Sequence, residues 1–314
     1  MTKPPLFNRM ALVGVGLIGS SIARAAREAG VVGSIVATAR SEKTRRRVVE
    51  LGIADQVVDT NAAAVKDADL VIVCIPVGAC GEVAKEIGPH LQAGAIVSDV
   101  GSVKDTILRD MAPHLPANVH FIPAHPVAGT EHSGPDAGFA ELFVNRWCIL
   151  TPPDKADAQA VEKLAAFWRA LGANVETMSA DHHDLVLAIT SHVPHLIAYT
   201  IVGTADDLQT VTRSEVLKFS AGGFRDFTRI AASDPTMWRD VFLANKDAVL
   251  EMLGRFNEDL STLTRAIRMD DGEALFNLFT RTRAIRRGIL QIGQDSAAPD
   301  FGRPHPHLPE KPSE

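Results

Sequence analysis

Six residues limit the fold of this chain more than any others. Gly14-Val15-Gly16-Leu17-Ile18-Gly19 stands between the apolar run Met10-Ala11-Leu12-Val13 and the helix-like Ser20-Ser21-Ile22-Ala23-Arg24-Ala25-Ala26. A strand, a glycine turn and a helix in that order make a dinucleotide-binding fingerprint. Gly14 permits the tight turn, Gly16 lets the backbone approach a pyrophosphate, and Gly19 allows the helix to pack closely on the strand. The helix N-terminus, with Leu17 and Ile18, offers free N–H groups to anionic oxygens. The turn makes sense only inside a βαβ unit, so the chain is expected to begin with a parallel sheet covered by helices.

The rest of the first half agrees. Short β-branched runs at Arg9–Val15, Ser34–Thr38, Leu70–Ile75, Ala95–Asp99, His120–Pro123, Trp147–Thr151 and Asn174–Met178 alternate with helical patterns, as in an α/β domain. From about Asp181 to Gln291 apolar residues recur three and four apart, which predicts an all-helical part. The expected division is a dinucleotide-binding Rossmann domain over 1–180, a helical domain over 181–294, and a disordered tail over 295–314, where five prolines lie among polar residues.

Composition narrows the partners. Lys and Arg total 32 against 38 Asp and Glu, a formal charge of −6, so no basic excess marks nucleic acid or an anionic membrane. The longest uninterrupted apolar run, Leu70–Val77, is far short of the roughly 20 residues of a spanning helix, and no membrane segment or signal peptide is expected. Cys74, Cys80 and Cys148 form an odd set without CxxC spacing, which fits buried thiols in a reducing cytoplasm and no thiol-bound metal.

An NAD-specific site of this kind places an acid about 20 residues after the loop to hold the ribose 2′-hydroxyl. Ala39 stands there, followed by Arg40 and Ser41, with Arg45, Arg46 and Arg47 on the next helix. A cation and a hydroxyl are thus available to a 2′-phosphate. The reading leans to NADP, with NAD as the other possibility and a solvated arginine face as the ordinary alternative.

Four segments carry candidate chemistry. Ser98-Asp99-Val100-Gly101-Ser102-Val103-Lys104 follows a strand, where open α/β sheets bind ligands, although a serine there is also an ordinary helix cap. In Ala124-His125-Pro126-Val127-Ala128-Gly129-Thr130-Glu131-His132 an imidazole at a strand end suits a general base. Asp184 through Ser191-His192-Val193-Pro194-His195 puts an acid and two histidines on an apolar helix that Pro194 should kink, with Asp184 and His195 on one side three turns apart. The two histidines could be a metal pair or simply bonded core groups, and the absence of an obvious third ligand favours no metal. Gly222-Gly223-Phe224-Arg225-Asp226-Phe227-Thr228-Arg229 offers a guanidinium for a carboxylate or for its neighbour Asp226.

Taken together, the glycine loop, Asp99–Lys104, His125–Glu131, Ser191–His195 and Phe224–Ala231 resemble the prephenate/arogenate dehydrogenases of tyrosine biosynthesis over about Arg9–Gln291. That resemblance implies a 6-phosphogluconate-dehydrogenase-like two-domain architecture whose helical part forms a homodimer. It implies oxidative decarboxylation of prephenate or arogenate with hydride transfer to a nicotinamide. His125 would take the ring hydroxyl's proton, Ser102 would hold that hydroxyl, Arg229 would bind the ring carboxylate, and His195, with His192, would meet the substrate side chain. Thr130 and Glu131 would line the pocket mouth. Asp184 would orient His195, and Asp226 would orient Arg229.

Two other readings compete. A β-hydroxyacid dehydrogenase needs a lysine on the first helix of the second domain, and His182–Thr204 contains none. A non-catalytic nicotinamide sensor would not need His125, Ser102 and Arg229 together.

Overall fold

The computed structural model describes residues 4–130, 132–207 and 222–291. Glu131 and the proline-rich stretch 295–314 lie outside the described residues. Two compact units divide the chain, one over residues 1–253 and one from residue 254 onward.

Among the described residues of the first unit, nine strands form two sheets. The larger is built from β1 (Phe7–Val13), β2 (Val32–Thr38), β3 (Gln56–Val58), β4 (Leu70–Val73), β5 (Ile96–Asp99) and β6 (His120–Phe121), in the order β3-β2-β1-β4-β5-β6. All its pairs are parallel, with Met10 opposite both Ile35 and Leu70, and Ile72 opposite Ser98. This is the doubly wound order whose direction reverses between β1 and β4, where a crevice opens at the strand ends. Here β1 alternates: Met10 and Leu12 join one buried cluster, Ala11 and Val13 the other. The strand is apolar on both faces because both faces are covered.

The first layer of helices is α1 (Leu17–Glu28), α2 (Glu42–Glu50), α3 (Asn61–Val65), α4 (Cys80–Ile87), α5 (Asp105–Met111) and α6 (Ala158–Ala170). Side-chain oxygens start several of them: Ser41 accepts from Thr44 N, Thr60 from Ala63 N and Asp157 from Ala160 N. The three cysteines are free, and burial pushes all three thiols up.

The smaller sheet was not expected. β7 (Ala124–Pro126) pairs antiparallel with β8 (Trp147–Leu150), which pairs parallel with β9 (Asn174–Thr177). The expected strand His120–Pro123 therefore ends at Phe121, and after Ile122 and Pro123 the chain enters a second sheet. Pro123 has no N–H to continue a ladder, and its carbonyl instead accepts from Thr151 N at 2.9 Å.

The helical part begins with α7 (Ala180–Leu187), passes through a π turn at Ala188–His192, and continues as α8 (Val193–Asp207). This 28-residue run is, by length and composition alone, apolar enough to cross a membrane. Counting uninterrupted apolar residues misses it because polar residues punctuate it. Those residues also show its use: His183, Asp184 and His192 are buried within the unit. α9 (Gly222–Thr228), a 3₁₀ turn at Arg229–Ala232, and α10 (Pro235–Ala244) follow, α10 capped by Asp234 with Pro235 in its first turn. Trp238 and Val241 of α10 enter the cluster formed by Val77, Cys80, Val103 and Ile107, and Thr106 Oγ1 donates to Ala244 O at 3.1 Å.

α11 (Lys246–Arg268) and α12 (Gly272–Gln291) complete the described chain. Within the second unit Ile267, Phe276, Phe279 and Ile285 are all more than half exposed.

Candidate active site

The glycine turn has the geometry a pyrophosphate requires. Gly14 adopts φ +97°, and a Cβ there would overlap the Cys74 carbonyl. A Cβ on Gly19 would strike the Gly14 carbonyl. Over Gly16 nothing lies within 4 Å of a Cβ position, so a ligand can approach this backbone. Gly16 caps α1, and the amides of Leu17, Ile18 and Gly19 open the helix. Ser20 and Ser21 turn their hydroxyls back to the Gly16 and Leu17 carbonyls at 2.6 and 2.7 Å, leaving the turn's amides clear.

At the end of β2 the arginines separate. Arg45 donates to the Ala39 carbonyl at 2.8 Å and pairs with Asp59 at 3.1 Å. Arg46 pairs with Glu42, and Arg47 bridges Glu50 and Asp136. The Arg40 carbonyl accepts from Arg45 at 3.2 Å, while its exposed guanidinium, alone of the four, has no partner among the described residues. Ser41 Oγ caps α2 and lies 2.7 Å from Thr44 Oγ1.

At the end of β5 a buried ion pair sets the next strand. Lys104 Nζ is 2.5 Å from Asp99 Oδ2, with both side chains fully buried, and also donates to the Ala124 carbonyl at 2.7 Å. Asp99 further accepts from Gly101 N and Ala124 N. Burial pushes the Asp99 carboxyl up, and Lys104 with the two amides opposes that rise. Ser102, half-buried, lies in the loop between these partners.

The residue after Ala124 is His125, with 6% of its surface exposed. Its Nδ1 lies 2.8 Å from His183 Nε2, and His183 Nδ1 lies 2.7 Å from Asp184 Oδ1. Asp184 also accepts from Lys104 N at 2.7 Å and from Asp105 N at 3.0 Å. Burial lowers the affinity of both imidazoles for a second proton; His183 and Lys104 reinforce this at His125, while Asp184 opposes it at His183. A neutral His125 can accept a proton at Nε2, which has no partner among the described residues.

His192 is also buried. Asn245 Nδ2 approaches its Nδ1 at 3.1 Å and donates to the Asp184 carbonyl at 2.8 Å. Burial lowers its pKa to about 4. His195, half-buried, donates from Nδ1 to the Ser191 carbonyl at 2.8 Å and stacks on Trp238 at 3.7 Å. Burial lowers its pKa, the Ser191 carbonyl opposes this, and the charge of Arg229 adds to the lowering.

The structure thus links His125, His183 and Asp184, sets His192 beside them with the Ser102 backbone next to it, and brings Arg229 near His195. Two supporting roles differ from expectation. Asp184 bonds to His183 rather than orienting His195. The π turn holds one residue more per turn than an α-helix, which rotates everything after it by about 100°. Asp226 pairs with Arg225 at 3.5 Å, not with Arg229. Thr130 Oγ1 accepts from His132 N within its own loop. Among the described residues no group of three or more His, Cys, Asp or Glu is arranged for a metal. Sequence reasoning passed over His183, Asn245, Trp238 and the Asp99–Lys104 pair; the adjacent His182-His183-Asp184 was the available signal for the first.

Comparison with known proteins converges on one group. The profile of the prephenate dehydrogenase nucleotide-binding domain matches residues 22–177, and that of the prephenate dehydrogenase dimerization domain matches residues 179–281. Cyclohexadienyl dehydrogenase of Zymomonas mobilis is 42% identical over 284 residues, covering 90% of this chain and 97% of that protein. Prephenate dehydrogenase of Bacillus subtilis is 34% identical over 302 residues, covering 96% and 81%. The crystal structure of prephenate dehydrogenase from A. aeolicus in complex with hydroxyphenyl propionate and NAD+ superposes with a TM-score of 0.83 at 34% identity, covering 90% of this chain and 98% of that one. Synechocystis arogenate dehydrogenase superposes with a TM-score of 0.74 at 26% identity, covering 90% and 99%.

Proposed function

This chain belongs to the prephenate dehydrogenase family, and from that premise we propose that it catalyses the oxidative decarboxylation of prephenate, of arogenate, or of both. The observation that carries the reading is His125: a neutral imidazole at a strand end, fixed through Nδ1 and with Nε2 unbonded by any described residue.

A nicotinamide dinucleotide held on the Gly14–Gly19 turn would supply the hydride acceptor. The residues of this chain handle the rest. His125 Nε2 takes the proton of the ring hydroxyl as that carbon gives up its hydride and becomes a carbonyl. Ser102 hydrogen-bonds the same hydroxyl. Arg229 holds the ring carboxylate; the bond from ring to carboxylate then breaks, carbon dioxide leaves, its electron pair makes the ring aromatic with the carbonyl oxygen becoming a phenolate, and that oxygen recovers the proton from His125. His195, its ring face held by Trp238, meets the side-chain end of the substrate, with His192 behind it. Thr130 and Glu131 belong to the loop at the pocket mouth.

Dinucleotide binding rests on Gly14, Gly16, Leu17, Ile18 and Gly19. We favour NADP over NAD because Arg40 is free to meet a 2′-phosphate, next to Ser41 at the start of α2. The proposed division near residue 180 is supported by the two profile matches, which end at 177 and begin at 179. A homodimer formed by the helical part is supported by the second profile's description and by the exposed Phe276, Phe279 and Ile285.

The test is nicotinamide reduction with prephenate and arogenate, each with NAD and with NADP. Turnover in at least one combination is expected, and His125→Asn should remove it while leaving nucleotide affinity within about twofold. No turnover in any combination, with nucleotide still bound, overturns the assignment.

A further inference from the structure

His183 and Asp184 form a buried line behind His125, and its hydrogen-bond directions can be worked out from one end. The Asp184 carboxylate accepts two backbone amides, Lys104 N–H and Asp105 N–H. An ionised carboxylate only accepts, so the 2.7 Å contact to His183 Nδ1 requires a proton on that nitrogen. A neutral His183 then carries a lone pair on Nε2. The atom 2.8 Å from that lone pair is His125 Nδ1, which must donate. A neutral His125 with its proton on Nδ1 has its lone pair on Nε2. The opposite tautomer would set two lone pairs against each other at 2.8 Å.

From this geometry we propose that His183 and Asp184 are positioning residues that lock His125 into the Nδ1–H tautomer, with its Nε2 lone pair available for proton acceptance. The line resembles the carboxylate–imidazole support of a hydrolase base, with a second imidazole inserted between carboxylate and base. When His125 takes a proton at Nε2, its Nδ1–H still faces the His183 lone pair, which Asp184 polarises. The acceptor of the hydroxyl proton is thereby supported through two hydrogen bonds.

The ends of this line are themselves held. Asp184 is fixed by the first amides of α5, and Asn245 Nδ2 holds its carbonyl at 2.8 Å. Lys104 Nζ fixes the Ala124 carbonyl just before His125. The charged or titratable groups bearing on His125 are His183 from α7, Lys104 from the loop before α5 and His192 from the π turn. Those bearing on His183 are Asp184, Lys104 and Asp99.

The role of His125 as a base rests on the function proposed above, whereas its tautomer does not. The tautomer can be read by nitrogen NMR on the ¹⁵N-histidine-labelled full chain near neutral pH, His125 being assigned among the 11 histidines by comparison with His125→Asn. Wild type should show His125 protonated on Nδ1 and bare on Nε2. His183→Gln, whose amide oxygen accepts from Nδ1–H while its NH₂ donates to Asp184, should keep that tautomer and keep kcat within about tenfold of wild type. His183→Leu offers no acceptor; His125 should shift toward the Nε2–H tautomer, and kcat should fall about a hundredfold, with KM for nucleotide and substrate changed by less than about twofold.

A wild-type His125 protonated on Nε2 overturns the proposal, and so does a His183→Gln variant as slow as His183→Leu. Should His183→Leu fail to fold, the wild-type spectrum and His183→Gln still decide. The expected tautomer in a chain that turns over neither prephenate nor arogenate would sustain the lock and refute the proposed function.

Discussion

Replacing Lys104 with methionine removes one charge from a pair that has no solvent access. Methionine approximates the lysine stem in volume, so the packing loss is small and the consequence is electrostatic. Asp99 retains the Gly101 and Ala124 amides but loses its cation, and the Ala124 carbonyl loses its 2.7 Å donor. Breaking a buried pair from one side costs about 3–5 kcal/mol, a large part of the roughly 5–15 kcal/mol that holds a domain folded. With an m-value of about 3 kcal/mol/M, the urea midpoint should fall by a little over about 1 M. Asp99→Asn combined with Lys104→Met removes the orphan charge while keeping one acceptor, and should recover more than half of that loss. The pH dependence has a definite sign. Burial already raises the folded-state Asp99 value, and without the cation it rises further. Between the unfolded value of about 3.9 and that raised value the native state binds the extra proton, so stability falls as pH rises through this window. The deficit of Lys104→Met against wild type should therefore be smaller at pH 5.5 than at pH 8. A single variant within about 1 kcal/mol of wild type, or a double variant as unstable as the single, would refute the assignment of the pair as the holder of β5 against β7.

Other outcomes follow from the same geometry. Arg40→Ala should raise KM for NADP about tenfold and leave KM for NAD within about twofold, since a single charge-assisted contact is removed; equal effects on both would exclude Arg40 from 2′-phosphate binding. Gly16→Ala should melt within a few degrees of wild type, because its φ is −93° and nothing crowds its Cβ, yet nucleotide affinity should drop. Gly14→Ala, at φ +97° and against the Cys74 carbonyl, should lose stability itself. Burial holds His192 near 4 while an unfolded histidine titrates near 6.5. The unfolded state therefore binds the extra proton between those values, and stability should fall as pH drops through that window, by up to about 3 kcal/mol. Thermal melts of His192→Asn from pH 7 to pH 4 should show a shallower loss, and an unchanged slope would contradict the assignment.

The parallel sheet was legible because its strands are short, apolar on both faces and separated by helices. Expected and observed boundaries for β1, β2, β4 and β5 differ by no more than two residues. β3 is three residues long and carries a glutamine, so no periodicity marks it. The break between β6 and β7 was hidden because Ile122, just past β6, is as buried as Ala124 at the start of β7. Only pairing to β8, more than 20 residues on, reveals that Ala124–Pro126 belongs to another sheet.

For the site, local motifs marked Ser102, His125, His192 and His195, while the links among them stayed hidden. Asp184 was paired with His195 by assuming one regular helix, and a π turn lies between them. His183 was passed over because adjacent helical residues do not ordinarily face each other. Here that side-chain bond forms because both groups are buried against α5 and β7, where each polar atom needs a partner. Contacts that join segments 58 or 80 residues apart leave no periodic trace in either segment.

Lys104 ties both ends of this arrangement, by different atoms. Its ammonium holds Asp99 and the Ala124 carbonyl, on the β7 side of His125, while its backbone amide holds Asp184, at the far end of the line. A side-chain substitution removes the first tie and leaves the second. Lys104→Met should therefore lose stability through Asp99 while its folded fraction keeps His125 protonated on Nδ1, because Asp184 still accepts its amides and still takes the His183 proton. His183→Leu should do the reverse, shifting the tautomer with the Asp99 pair intact. If Lys104→Met released the His125 tautomer as fully as His183→Leu, the lock would reside in the placement of β7 rather than in the two imidazoles and the carboxylate.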